Sequence, residues 1–178
     1  MYQFIKKYND YKYVLERVKK NGNELYFASS NLKDNYNIVL NAILNDSSSL
    51  KYASKRLRAN HDIIKIAISK NGIDIENAIG VNDNFEIVSL AVKNNGYAIK
   101  FVSYRLKNNE KIAILAGSDN IQSLNYTPIN IRRNRKIVNQ CIKNINNIIY
   151  KPLYIIKIID FKNYNINPYN INSLFLLF

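Results

Sequence analysis

Six Asp or Asn residues recur at nearly constant spacing: Asp10, Asn35, Asn60, Asn84, Asn109 and Asn134, separated by 25, 25, 24, 25 and 25 residues. A repeat this short cannot bury a hydrophobic face alone, so equivalent units must stack on one another. All six residues belong to the types whose short side chains cap helix N-termini. Each opens a unit, and the positions below are counted from it.

Positions 3 and 4 hold Tyr13-Val14, Ile38-Val39, Ile63-Ile64, Ile87-Val88, Ile112-Ala113 and Ile137-Val138. Position 7 holds Arg17, Ala42, Ala67, Ala91, Ala116 and Cys141, and position 8 holds Val18, Ile43, Ile68, Val92, Gly117 and Ile142. Apolar residues at 3, 4, 7 and 8 line one face of an α-helix. The small residue at 7 predicts a neighbouring helix passing close by.

Asn21-Gly22, Asn71-Gly72 and Asn95-Gly96 share one register, and a glycine there predicts a helix stop in the left-handed conformation. The other units offer Asp46-Ser47, Asn120-Ile121 and Ile145-Asn146 as weaker stops. A second helix is predicted in each unit from Leu25, Leu50, Ile75, Ile99, Leu124 and Ile149, then Ala28, Ala53, Ala78, Val102, Thr127 and Pro152. Leu32, Leu57, Val81 (in the shortened third unit), Leu106, Ile131 and Ile156 complete it. Phe27, Tyr52, Phe101 and Tyr126 add a recurring aromatic. Helices of about 8 to 10 residues are marginal in isolation and must gain stability from stacking.

The expected architecture is therefore an all-α solenoid of five or six helix-turn-helix hairpins. It forms a single repeat domain over residues 1–160, with units near 10–34, 35–59, 60–83, 84–108, 109–133 and 134–160. Residues 1–9 hold at most a half-unit, led by Tyr2, Phe4, Ile5 and Tyr8. Pro128 and Pro152 predict shifted or shortened second helices. Residues 161–178 read as an irregular tail ending in Leu174, Phe175, Leu176, Leu177 and Phe178. That ending has two readings, a hydrophobic cap on the last unit or an anchor inserted into a partner.

The stretch Asn84 to Ala116, NFEIVSLAVKNNGYAIKFVSYRLKNNEKIAILA, resembles the repeat family designated domain of unknown function 4116. Its units read as an acidic or Asn cap, an aliphatic pair, Ala-Val, a Gly turn, then Leu, Ala and Leu-Arg/Lys. The second unit matches through Ile38-Val39, Ala42, Leu50, Tyr52-Ala53-Ser54 and Leu57-Arg58. The resemblance covers residues 10 to 134 with a degenerate continuation, and it implies a helical-repeat fold with no assigned chemistry, cofactor or catalytic residue. Arg17 at a small position and the missing Gly turns of the last units depart from the pattern.

Composition narrows the function class. With 47% hydrophobic residues, wholesale disorder is excluded. No apolar run is long enough to span a bilayer, and the N-terminus lacks the apolar stretch of a secretory leader. A lone cysteine, Cys141, fits a reducing intracellular compartment. The net charge of +13 admits two explanations, an acidic partner or the Lys- and Asn-rich output of an AT-rich genome such as that of a giant virus, protist or bacterium.

Catalysis and metal binding require convergent groups. His61 is the only histidine, and it occupies a first-turn position held elsewhere by Tyr11, Tyr36, Phe85, Glu110 and Arg135. Cys141 stands where four sibling units carry Ala. The sequence thus predicts no catalytic residue, metal site or cofactor. Its most informative polar feature is a cation at position 23: Lys33, Arg58, Lys107, Arg132 and Lys157. Arg56, Arg105 and Arg133 extend it into a candidate basic ridge. Such a ridge could track phosphates or acidic segments, or simply complement helix C-termini. Most of the tyrosines fall on the predicted core face or are scattered. A non-catalytic protein-interaction module is the leading expectation. The alternative is a basic nucleic-acid-associated subunit of a ribonucleoprotein or virion.

Overall fold

The computed structural model describes residues 6–148, and every element in them is helical. The first unit comprises α1 (Tyr11–Lys20), a six-residue 3₁₀ helix η1 (Gly22–Phe27) and α2 (Ser30–Lys33). The second comprises α3 (Tyr36–Asn45), η2 (Ser47–Tyr52) and α4 (Lys55–Arg58), and the third α5 (His61–Lys70) and η3 (Gly72–Asn77). α6 (Phe85–Asn94), η4 (Gly96–Phe101) and α7 (Tyr104–Lys107) follow, then α8 (Glu110–Asp119), η5 (Ile121–Tyr126), α9 (Ile129–Arg132) and α10 (Arg135–Ile148).

The repeating Asp/Asn caps the long helices as its spacing predicts. The Asp10 carboxylate accepts from the Tyr13 N–H, and Asn35, Asn60, Asn84 and Asn109 do the same for Ile38, Ile63, Ile87 and Ile112. The 3/4/7/8 face is buried: Ile63, Ile64, Ala67 and Ile68 are all fully inaccessible. Two of the long helices, α5 and α8, divide this face between two cores, and in α8 Ile112 and Ala116 belong to one and Ala113 to the next. In α5, Ile63 and Ala67 join the core of the preceding units, while Ile64 and Ile68 join that of the following ones. Arg17 departs from the small-residue rule at this position. It is exposed and pairs with Glu24 at 2.8 Å.

The predicted second helix is two helices. A backbone break at Ala28, Ala53, Val102 and Thr127, with ψ of 150, 159, 152 and 160°, ends each 3₁₀ turn in extended geometry. The next residue starts a four-residue α-helix, capped by the hydroxyls of Ser54 and Ser103 through the N–H groups of Leu57 and Leu106. That same residue hooks its unit to the preceding one. Ser29, Ser54, Ile79 and Ser103 donate their N–H groups to the carbonyls of Tyr8, Lys33, Arg58 and Asn82, at 2.8 to 3.0 Å. Pro128 occupies this position in the fifth unit and has no N–H to give. Contrary to the sequence expectation, its helix is neither shifted nor shortened: φ of −57° at Pro128 fits the cap, and α9 spans the same four residues as its siblings.

The glycine stops also need correction. Asn21, Asn71 and Asn95 end their helices in extended geometry, and each side chain then caps the following 3₁₀ helix. Gly22, Gly72 and Gly96 have no left-handed backbone. They are glycines because a Cβ there would lie 2.3, 2.1 and 2.3 Å from the carbonyl oxygens of Ala42, Ala91 and Ala116 in the next unit. Those alanines are the small residues of position 7, so the close approach predicted for that position is real, and its partner is the glycine. The N–H groups of Gly22 and Gly72 donate to the Asn45 and Asn94 side chains at 2.8 and 2.7 Å. Both amides in turn donate back to the Lys19 and Ser69 carbonyls. Between the second and third units both parts change, with Ser47 in place of the glycine and Lys70 in place of the asparagine.

The shortened third unit lacks the four-residue helix. A turn through Gly80, whose φ of 75° suits glycine, brings Val81 into the core at 2% exposure. At the far end the predicted stop at Ile145-Asn146 does not occur, because α10 runs through it to Ile148. The candidate anchor or cap, Leu174, Phe175, Leu177 and Phe178, lies outside the described residues, as do Pro152 and Lys157.

Candidate binding face

The five 3₁₀ helices pack side by side in chain order, η1 on η2 through to η4 on η5. Their positions 15 and 18 point inward, and Leu25, Leu50, Ile75, Ile99 and Leu124 are buried to 3% or less. Positions 16 and 17 are left on the outer side. The recurring aromatic divides: Tyr52 and Phe101 are half-buried against the core, whereas Phe27 and Tyr126 are 47% and 41% exposed, and the adjacent Tyr26 is 57% exposed. A 3₁₀ turn of three residues per turn, not a continuous α-helix, governs which side each residue faces.

The rings form two groups. Tyr13, Tyr8, Phe27, Tyr26 and Tyr52 make a continuous chain with centroid separations of 5.1 to 5.5 Å. Tyr97 and Tyr126 pair across the fourth and fifth units at 6.2 Å. Most contacts are edge-on, the geometry favoured by the ring quadrupole.

The candidate ridge dissolves into two sets of cations with different partners. Arg56 and Arg105 serve as latches. Their Nε atoms sit 3.0 to 3.1 Å from both carboxylate oxygens of Asp34 and Asp83, and their Nη2 atoms reach the carbonyls of the same residues. Hydrogen bonds from Ser54 and Ser103, reinforced by these guanidinium groups, hold the two carboxyls below the usual Asp range. Arg133 is exposed at the C-cap of α9.

The position-23 cations instead fold onto the 3₁₀ row. Lys33 lies over the Tyr26 ring at 5.6 Å. Arg58 donates to the Asn77 carbonyl at 2.7 Å, Lys107 to the Lys100 carbonyl at 2.8 Å, and Arg132 to the Asn125 carbonyl at 3.4 Å. They complement the C-terminal ends of the 3₁₀ helices, where carbonyls lack helical partners. Lys51 and Lys100 join them, seated over the Tyr52 and Phe101 rings at 4.9 and 5.5 Å. Positions 16, 17 and 23 of the five units thus carry six cations, four aromatics at position 17, and two carboxylates, Glu76 and the Arg105-paired Asp83. A recurring cation at 16 or 23 beside the aromatic at 17 was the sequence signal for this face, but a continuous second helix obscured it.

The residues weighed for chemistry are placed apart. His61 is exposed at the start of α5. Cys141 is fully buried, and burial pushes its thiol up to about 12. Because the thiolate is the reactive form, Cys141 is expected to resist a thiol-reactive dye in the native protein. It should react within the mixing time once denaturant is added; rapid native labelling would disprove the burial.

Asp74 is a site the sequence reading missed. It is 4% exposed between the second and third units, and its Oδ2 has no hydrogen-bond partner. Burial holds its carboxyl above the usual range; Asp46 adds to this, while a Ser47 hydrogen bond and Lys51 oppose it. A group whose folded value is raised favours folding only while protonated, so stability should fall as pH rises through that raised value. Asp74→Asn is expected to stabilise the protein by about 1–2 kcal/mol at pH 7, with the gain vanishing in acid. Urea unfolding at both pH values measures it, and a less stable variant at pH 7 would rule out this account.

Among the described residues no helix is long and apolar enough to cross a membrane, and no group of three or more His, Cys, Asp or Glu could hold a metal ion. The family described as Domain of unknown function (DUF4116) matches three times, over residues 10–58, 35–79 and 84–132, which together cover more than half of the chain. The chain belongs to the DUF4116 family. No curated protein and no solved structure matches it. The three DUF4116 matches are in tandem, and together they contain all five 3₁₀ helices of the aromatic and cationic row.

Proposed function

We propose that this DUF4116 chain is a non-catalytic interaction module. It is a gently curved solenoid of stacked units of about 25 residues that presents its row of 3₁₀ helices to a protein partner. The observation that carries this reading is the outer side of that row, where Tyr26, Phe27 and Tyr126 stay exposed although the core beneath is closed. Exposed aromatics in a line, flanked by charge, are the composition of a recognition surface. Each added unit contributes one more row of contacts while the fold persists. The single thiol is in keeping with a reducing intracellular compartment.

The net charge of +13 favours a second reading, a basic subunit of a ribonucleoprotein or virion. Against it, the two guanidinium groups best suited to forked phosphate contacts, Arg56 and Arg105, are already held by Asp34 and Asp83.

Affinity capture with the full chain from a lysate of its source cells tests the choice, with and without nuclease and across a range of salt. A discrete protein retained in fixed stoichiometry after nuclease supports the module. Nucleic acid recovered instead, and lost as salt rises, replaces it with the second reading.

A further inference from the structure

We infer that the row of 3₁₀ helices is a docking surface for an extended acidic segment of a partner protein. The inference rests on the interaction-module reading and specifies the chemistry of the partner.

Charge selects the occupant. Lys33, Lys51, Arg58, Lys100, Lys107 and Arg132 share the face with two carboxylates, Glu76 and Asp83, and Asp83 is already paired with Arg105. These cations are held in place, since Lys33, Lys51 and Lys100 rest on ring faces 4.9 to 5.6 Å from the centroids. Lys107 and Arg132 are tied to carbonyls of their own units, and Arg58 to one of the next unit. Such tethering lowers the ordering entropy lost on binding. A lysine ammonium carries three donors, and a ring face or one carbonyl leaves others free for a carboxylate.

The same geometry disfavours other occupants. Single-stranded nucleic acid binds such surfaces by stacking bases on ring faces, but an ammonium group already lies over one face of each of Tyr26, Tyr52 and Phe101, and Tyr26 and Tyr52 also pack against neighbouring rings. A second copy of the chain would bring another charge of +13 and few carboxylates to meet these cations. A segment of Glu or Asp spaced by small residues leaves the rings where they are and satisfies the cations on top of them.

The probe is a labelled peptide of alternating Glu and Gly, titrated against the full-length protein beside its Gln-Gly counterpart and an oligouridylate of matched length. The Glu-Gly peptide is expected to bind, and to weaken with salt. The double variant Lys51→Glu with Lys100→Glu should weaken it by about tenfold or more. The same charge change at Lys12 and Lys111, exposed on the first helices, should leave binding within about twofold. Circular dichroism checks the fold of each variant, and the Gln versions of both pairs provide a milder test.

Equal losses from the two pairs would mean that only net charge matters and would overturn the inference. So would equal binding of the Gln-Gly peptide, or an oligouridylate that displaces the acidic peptide and is itself lost with Lys51→Glu and Lys100→Glu. A lysate partner retained in full by that double variant would sink the acidic-segment inference alone and leave the interaction module standing.

Discussion

Gly72→Ala should destabilise the protein by about 2–3 kcal/mol, even though alanine is ordinarily the better residue in a helical segment. The new methyl would meet the Ala91 carbonyl oxygen at 2.1 Å, with the Ala91 carbon and the Asn95 nitrogen at 3.0 Å. All three are backbone atoms of the next unit, so relief requires that unit to move away. Movement would also pull the Asn94 amide from the Gly72 N–H, a 2.7 Å contact. Gly80→Ala is the informative comparison. Nothing lies within 4 Å of its added Cβ, but its φ of 75° is one that side chains disfavour, so the loss should be about 1 kcal/mol. Urea unfolding followed by circular dichroism separates the two. If Gly72→Ala costs no more than Gly80→Ala, the glycine is there for its backbone and not for the approach of the neighbouring unit.

That distinction also marks where sequence reading succeeded and where it failed. Recurrence of Asp10, Asn35, Asn60, Asn84 and Asn109 located the long-helix caps correctly, because an N-cap is a local device: one side chain reaching an N–H three residues on. Positions 3, 4, 7 and 8 likewise gave the buried face from periodicity alone. Asn-Gly misled, because the same dipeptide serves as a left-handed stop or as a tight packing point, and only the facing Ala42, Ala91 or Ala116 decides between them. The split second helix was missed for a related reason. Leu25, Ala28 and Leu32 fit one α-helical stripe, yet the hydrogen bond from the Ser29 N–H to the Tyr8 carbonyl breaks the chain there. Signals were present, namely a second Asn or Asp ahead of each 3₁₀ helix and Ser29, Ser54 and Ser103 at one register, each an additional helix start. The candidate ridge suffered most, since whether an arginine is available depends on a carboxylate about twenty residues away. Asp34 and Asp83 could be matched to Arg56 and Arg105 only in three dimensions.

Ile64→Ala is the second change expected to be severe, at about 2–5 kcal/mol. Ile64 is fully buried on the side of α5 that faces the following units. Its neighbour Ile63 belongs to the core on the other side. Truncation at 64 therefore empties one junction only. Ile79→Ala, at a side chain 36% exposed, should cost under about 0.5 kcal/mol. Similar losses for the two variants would contradict the assignment of Ile64 to a closed core.

The one-residue shortening of the third unit has a consequence for how such chains change length. In a β-sheet, a slip of one residue turns every later side chain to the wrong face. Here the missing residue falls between η3 and Asn84, and the turn through Gly80 absorbs it. Val81 still fills the place of a leucine, the Asn82 carbonyl still accepts from Ser103, and Asp83 still receives Arg105. Asn84 then restarts the count as though nothing were missing. Phase is reset at every cap, so an insertion or deletion between caps is a local event, and units on either side are free to accumulate or disappear without rewriting one another.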